Sequence, residues 1–169
     1  MISPISIGLC HFMCITQNNE LYVWGNNNYG LGDTLARYFF TTLLTLPNNE
    51  KITHITCGEN HSIALTENKN CFVWRRNYGQ LGLDDRKDRS SPTLLQKVIG
   101  FKQGDYFISI TSGGDHNIGI THDKKCYVWG NTDRKTDISF HLFLLFTERN
   151  ITLYLYLSLI YLIRQFYYD

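Results

Sequence analysis

The sequence predicts an all-β chain: a partial β-propeller of four-stranded antiparallel blades, with an unrelated apolar C-terminal tail. Three observations carry this expectation. Trp24, Trp74 and Trp129 stand 50 and 55 residues apart. Thirteen residues before each stands a histidine, His11, His61 and His116. Each Trp also ends an apolar run that four polar residues join to an earlier apolar run. A fixed period of this length marks a repeat architecture, in which each unit buries its apolar surface against its neighbours.

The copies match at further positions. Three residues before each His lies a glycine (Gly8, Gly58, Gly113), and five after it a threonine (Thr16, Thr66, Thr121). Runs rich in β-branched and aromatic residues between short polar links favour strands. Links of four residues, 17–20, 67–70 and 122–125, are of hairpin length. Strands are therefore expected to pair near 12–16 with 21–24, 62–66 with 71–74, and 117–121 with 126–129. Between these hairpins lie apolar runs at 41–46 and 52–57, then at 92–98 and 106–111. Four strands per period make one propeller blade. Apolar residues occupy consecutive positions in the strand leading to each Trp, which predicts cover on both faces, as stacking of blades provides. One Trp and one Tyr or Phe per copy suit the ~10 Å gap between stacked sheets. The glycine before each His is expected to mark a tight entry into a strand.

Residues 24–32 read Trp-Gly-Asn-Asn-Asn-Tyr-Gly-Leu-Gly and residues 74–82 read Trp-Arg-Arg-Asn-Tyr-Gly-Gln-Leu-Gly. Both resemble the Trp-Gly-x-Asn-x-x-Gly-Gln-Leu-Gly signature of the regulator of chromosome condensation family. Residues 57–66, Cys-Gly-Glu-Asn-His-Ser-Ile-Ala-Leu-Thr, resemble that family's second signature more closely still. The likeness covers residues 7–131. It departs from the family pattern in three places: both Trp-led motifs are one residue short, Arg75 stands where glycine is usual, and the third motif stops after Asn131. The resemblance implies a ring of seven blades, of which this chain carries two complete periods and the first hairpin of a third. The expected division is 1–131 as incomplete propeller repeats (about 1–57, 58–112 and 113–131) and 132–169 as a non-repeat segment. An open arc of blades exposes unpaired edges and apolar faces at both ends, and so must associate or be poorly stable.

In residues 132–169 the period ends and apolar residues dominate. Its longest uncharged, largely apolar stretch is about thirteen residues, short of the ~20 that cross a bilayer as a helix, and Glu148-Arg149-Asn150 interrupts any longer span. Three readings stay open: a membrane anchor through 138–163, a helix or strand covering the blade edge, or sequence that does not fold here, as in a truncated product.

Composition narrows the function. Sixteen Lys and Arg against fifteen Asp and Glu leave a net charge of +1, so no global field favours nucleic acid. The local cluster Arg86-Lys87-Asp88-Arg89 follows Asp84 and Asp85 and reads as a solvated loop of mixed sign. Five cysteines (Cys10, Cys14, Cys57, Cys71, Cys126), an odd count with no CxxC pair and no secretory signal at Met1–Phe12, predict an intracellular protein, cytoplasmic or nuclear. One histidine per copy distributes the imidazoles around a ring, whereas a metal or catalytic centre needs side chains that converge. Gly8, His11, Thr16, Trp24, Gly58, His61, Thr66, Trp74, Gly113, His116, Thr121 and Trp129 are accordingly structural repeat positions, with no catalytic, cofactor-binding or metal-binding residue expected. Cys71 and Cys126, in register with Leu21, read as small buried apolar residues. Cys10 with His11 and Cys57 with His61 can be drawn as nucleophile and base, but spacing supplies no third orienting residue. The resemblance implies a protein-interaction module, with a small GTPase as a partner class and a fragment of a nucleotide exchange factor as one form of it. The alternatives are a membrane-attached propeller fragment and a truncated product without independent activity.

Overall fold

The computed structural model describes residues 4–25, 37–96, 98, 101–131 and 142–145. Among these residues the regular structure is β, apart from one 3-10 turn at Pro47–Asn49. The first sheet comprises β1 (Ile5–Ile7), β2 (His11–Ile15), β3 (Leu21–Gly25) and β4 (Arg37–Leu44). The second comprises β5 (Ile52–Cys57), β6 (His61–Thr66), β7 (Cys71–Arg75) and β8 (Arg89–Leu94). In the third, β9 (Phe107–Ser112), β10 (His116–Thr121) and β11 (Lys125–Gly130) are joined by β12 (Leu142–Leu145). Every sheet is four-stranded and runs in sequence order, the meander of a propeller blade.

The hairpins form where the polar links predict. His11 pairs with Gly25, His61 with Arg75 and His116 with Gly130, so the three central hairpins share one register. Each turn places its third residue in the left-handed region: Asn19 (φ 63°), Lys69 (φ 67°) and Lys124 (φ 63°). The recurring threonine closes the turn. Its hydroxyl accepts a bond from the backbone N–H four residues on, from Glu20 (3.1 Å), Asn70 (3.3 Å) and Lys125 (3.1 Å).

The sheets cut the chain at different places from the sequence period. The strand before each Gly-x-x-His turn pairs with the strand after it, so β5 opens the second sheet and β9 opens the third. A period has no intrinsic origin, and backbone pairing sets one. Ile5–Ile7, only three residues long, supplies the first strand of the first sheet. Within the tail, Leu142–Leu145 pairs antiparallel with β11 and takes the fourth-strand place. The remainder of 132–169, with most of the 138–163 anchor segment, lies outside the described residues, as do the Trp-led motif residues 26–32.

Two apolar cores lie between the sheets. Met13, Ile15, Leu21 and Val23 of the first sheet meet Ile55, Ala64, Phe72 and Trp74 of the second. The pattern repeats where Ile63, Leu65, Cys71 and Val73 of the second meet Phe107, Ile110, Tyr127 and Trp129 of the third. Each sheet thus turns an aliphatic face forward and an aromatic face backward. Among the described residues, two-sided cover is complete only in the middle: β6 and β7 are buried at every position, whereas β10 alternates exposed and buried. Residues in register with Met13 (0% exposed) and Ile63 (0%) include Ile118 (40%), whose face carries no described sheet.

Candidate functional site

The Gly-x-x-His turns define one end of the sheets. In each, the glycine N–H donates to the carbonyl of the histidine three residues on: Gly8 to His11 at 2.8 Å, Gly58 to His61 at 2.9 Å and Gly113 to His116 at 2.8 Å. Glycine is needed there for close approach. A Cβ on Gly8 would overlap the Gly58 carbonyl oxygen, and one on Gly58 would lie 2.8 Å from that of Gly113. The constraint is the turn's own histidine ring together with the neighbouring sheet, not an unusual backbone angle. The turns gather into a shallow depression of about 400 Å³ lined by Ile7–Leu9, Cys57–Glu59 and Ser112–Gly114, with Leu9 (69% exposed) and the exposed Glu59 on its surface.

Behind the turns, the histidines bind one sheet to the next. His11 Nε2 lies 2.9 Å from Ser62 Oγ. His61 Nε2 lies 2.6 Å from Asn117 Oδ1, so His61 donates there. Both rings are wholly buried. Burial first, then the Arg75 guanidinium, pushes His11 down to about 3; burial also lowers His61. Neutral, buried and bonded to uncharged partners, these imidazoles act as inter-sheet struts. His116, in register with them, is exposed.

A backbone ladder runs parallel to the histidines. The Cys57 N–H donates to Ser6 Oγ at 2.8 Å, and the Ser112 N–H to Thr56 Oγ1 at 3.0 Å. The Trp-led loop of the second sheet adds a third tie. Inside it, Asn77 Oδ1 accepts from the N–H groups of Gly79 (2.9 Å) and Leu81 (3.2 Å), shaping the turn. The Gln80 carbonyl then accepts from Asn117 Nδ2 (2.7 Å) and Trp129 Nε1 (3.1 Å) of the third sheet. Sequence reasoning missed Ser62, Asn117 and Gln80 as partners. Ser62 and Asn117 are in register with Phe12, so the position after each His shows no common residue type to mark it.

The indoles occupy one equivalent position. Trp74 (0%) and Trp129 (5%) lie in the two inter-sheet cores, while Trp24, on the same face of the first sheet, is half-buried and stacks on Phe12 at 5.4 Å. Arg75 replaces the glycine found at Gly25 and Gly130; it is 3% exposed with φ at 83°. Burial pushes the Cys57 thiol up to about 11 and the Cys71 thiol up to about 12, which disfavours the thiolate a nucleophile requires. The His11 and His61 Nε2 atoms contact Ser62 and Asn117, so neither drawn Cys–His pair is assembled through that nitrogen.

Asp105, His122 and Asp123 bring donor atoms within 4.8 Å of one another. Protein groups already engage them: Lys125 Nζ lies 2.7 Å from Asp123, the Thr121 hydroxyl donates to Asp123 at 2.6 Å, and the Lys102 N–H donates to Asp105 at 2.8 Å. Tyr106 stacks on His122 at 4.6 Å. The cluster Arg86–Arg89 is likewise tied within its loop, where Arg89 pairs with Asp85 at 2.7 Å and Asp88 accepts from the Asn77 N–H. Among the described residues, no helix is long and apolar enough to cross a membrane.

Two family models, each described as the regulator of chromosome condensation (RCC1) repeat, match the chain, one at residues 2–31 and 52–80 and the other at 18–65 and 71–120. The chain is 31% identical over 131 residues to the X-linked retinitis pigmentosa GTPase regulator of Mus musculus, a match covering 75% of this chain and 13% of that protein. The fold is similar to that of human WBSCR16, with a TM-score of 0.67 at 23% identity, covering 85% of this chain and 39% of the other. It is also similar to Prp20p from Saccharomyces cerevisiae, whose structure was described with its binding to Gsp1p and histones. That TM-score is 0.58 at 25% identity, covering 75% and 32% of the two chains.

Proposed function

The chain belongs to the regulator of chromosome condensation (RCC1) repeat family, and from that premise we propose that it is a protein-interaction module whose partner class is a small GTPase. The observation that carries this reading is the allocation of chemistry. Among the buried polar residues, His11, His61, Ser62, Asn117 and the Gln80 carbonyl hold sheets together, while Glu50, Thr66, Asn77 and Thr121 shape turns within a sheet. The depression at the turn end is open and shallow, with backbone, glycines, Leu9 and Glu59 at its surface. Such a surface suits a protein contact better than an enclosed small substrate. The similarity to a GTPase regulator supports a small GTPase as the partner class. With five free cysteines, three of them buried, the module fits a reducing, intracellular compartment.

The test is capture of purified small GTPases, in nucleotide-free, GDP and GTP forms, by the immobilised chain, run beside a nucleotide-release assay. Binding that Leu9→Asp and Glu59→Lys abolish, with the fold intact by circular dichroism, supports the reading; accelerated release adds exchange activity to it. No capture in any nucleotide state overturns the GTPase assignment.

A further inference from the structure

The forward face of the third sheet repeats, position for position, the face that the first two sheets bury. Ile118 is in register with Met13 and Ile63, and Ile120 with Ile15 and Leu65; the earlier residues are 0–4% exposed, whereas both isoleucines are 40% exposed. Thr111 pairs directly with Ile118, as Ser6 does with Met13 and Thr56 with Ile63. Its hydroxyl is therefore placed as are the two that accept a backbone N–H from the next sheet. A Cβ on Gly113 would meet nothing closer than 3.9 Å, although Gly8 and Gly58 are each crowded by the following sheet.

The backward face of the first sheet is the matching half. Register places Ile5, Cys14 and Tyr22 in one row and Ile7, Phe12 and Trp24 in the next. Their counterparts in the second sheet are Ile55, Ala64 and Phe72, then Cys57, Ser62 and Trp74, all buried against the first sheet. Ile5 is 65% exposed and Ile7 66%. The Ile7 N–H corresponds to those of Cys57 and Ser112, which donate to the preceding sheet.

We infer that two copies of this chain associate head to tail, the forward face of one third sheet against the backward face of the partner's first sheet. The join continues the two seams already inside the chain: aliphatic residues meet aromatic ones, and the Thr111 hydroxyl meets the Ile7 N–H. One contact changes. Opposite His116 comes Phe12 where the inner seams have Ser62 or Asn117, so the join forgoes the imidazole hydrogen bond and is weaker than the inner seams. Unlike faces generate a heterologous contact that extends or closes a ring.

Sedimentation of the full chain over a range of concentrations tests this. The average mass should rise with concentration and pass that of a dimer. Ile118→Asp with Ile120→Asp blocks one face, and Ile5→Asp with Ile7→Asp blocks the other. Each double variant alone should be monomeric, and an equimolar mixture should form a one-to-one dimer and nothing larger. Thr111→Val, at an exposed position, should weaken association about fivefold with an unchanged melting temperature. A wild-type chain that stays monomeric overturns the inference, as does a single-face variant that still self-associates or a mixture that stays monomeric.

Discussion

Arg75 occupies the position held by glycine in the other two hairpins, and its backbone is strained there. Its φ of 83° lies in a region that non-glycine residues enter at a cost of about 1–3 kcal/mol. Arg75→Gly is expected to stabilise the chain by roughly 1 kcal/mol, seen as a higher urea midpoint. The histidines set a pH dependence. His11 has a folded pKa depressed to about 3 from 6.5, so the unfolded chain takes the proton first. Stability is then full above pH 6.5 and falls as pH drops, by about 1.4 kcal/mol per unit for each such histidine. Urea titrations at pH 7.5 and pH 5 should show the loss, and His11→Gln should flatten the slope. The repeated histidines were legible from spacing. Their partners were not, because Phe12, Ser62 and Asn117 share no chemistry.

At the scale of the hairpin, one threonine serves three turns with different side-chain support. Thr66 donates to the buried Glu50 carboxylate at 2.6 Å, and that carboxylate also accepts from Asn70 Nδ2 at 2.7 Å. Thr121 donates instead to exposed Asp123. Thr66→Val should therefore cost about 2 kcal/mol, since it strips a buried carboxylate of a donor, and Thr121→Val about 1 kcal/mol or less. Chemical denaturation of the two variants checks the order. The same contrast applies to the indoles: Trp74→Ala should cost about 3–5 kcal/mol, and Trp24→Ala clearly less, because Trp74, unlike Trp24, lies between two described sheets. The hairpins could be read from apolar runs and four-residue links. The three-residue strand Ile5–Ile7 could not, since a run that short gives no periodicity.

Across the whole chain, stability is unequal by position in the stack. Among the described residues the second sheet is flanked on both faces, and the first and third on one each, so nearest-neighbour coupling protects the middle most. Amide exchange should be slowest in β6 and β7 and faster in β2, β3, β10 and β11. Equal protection across the three sheets would show that the stack opens as one unit.

By itself the sequence determined the repeat: three hairpins in common register, an indole ending each, a glycine and a histidine at each entry, and an all-β class. It could do so because the hairpin is a local structure, encoded within some fifteen consecutive residues by polarity and turn chemistry. Only the tertiary structure decided which strand opens each sheet, that Leu142–Leu145 completes the third, and which residues receive the histidines. Those outcomes depend on contacts between residues about fifty positions apart, where backbone pairing and close approach of neighbouring sheets select among arrangements that the linear pattern leaves equivalent.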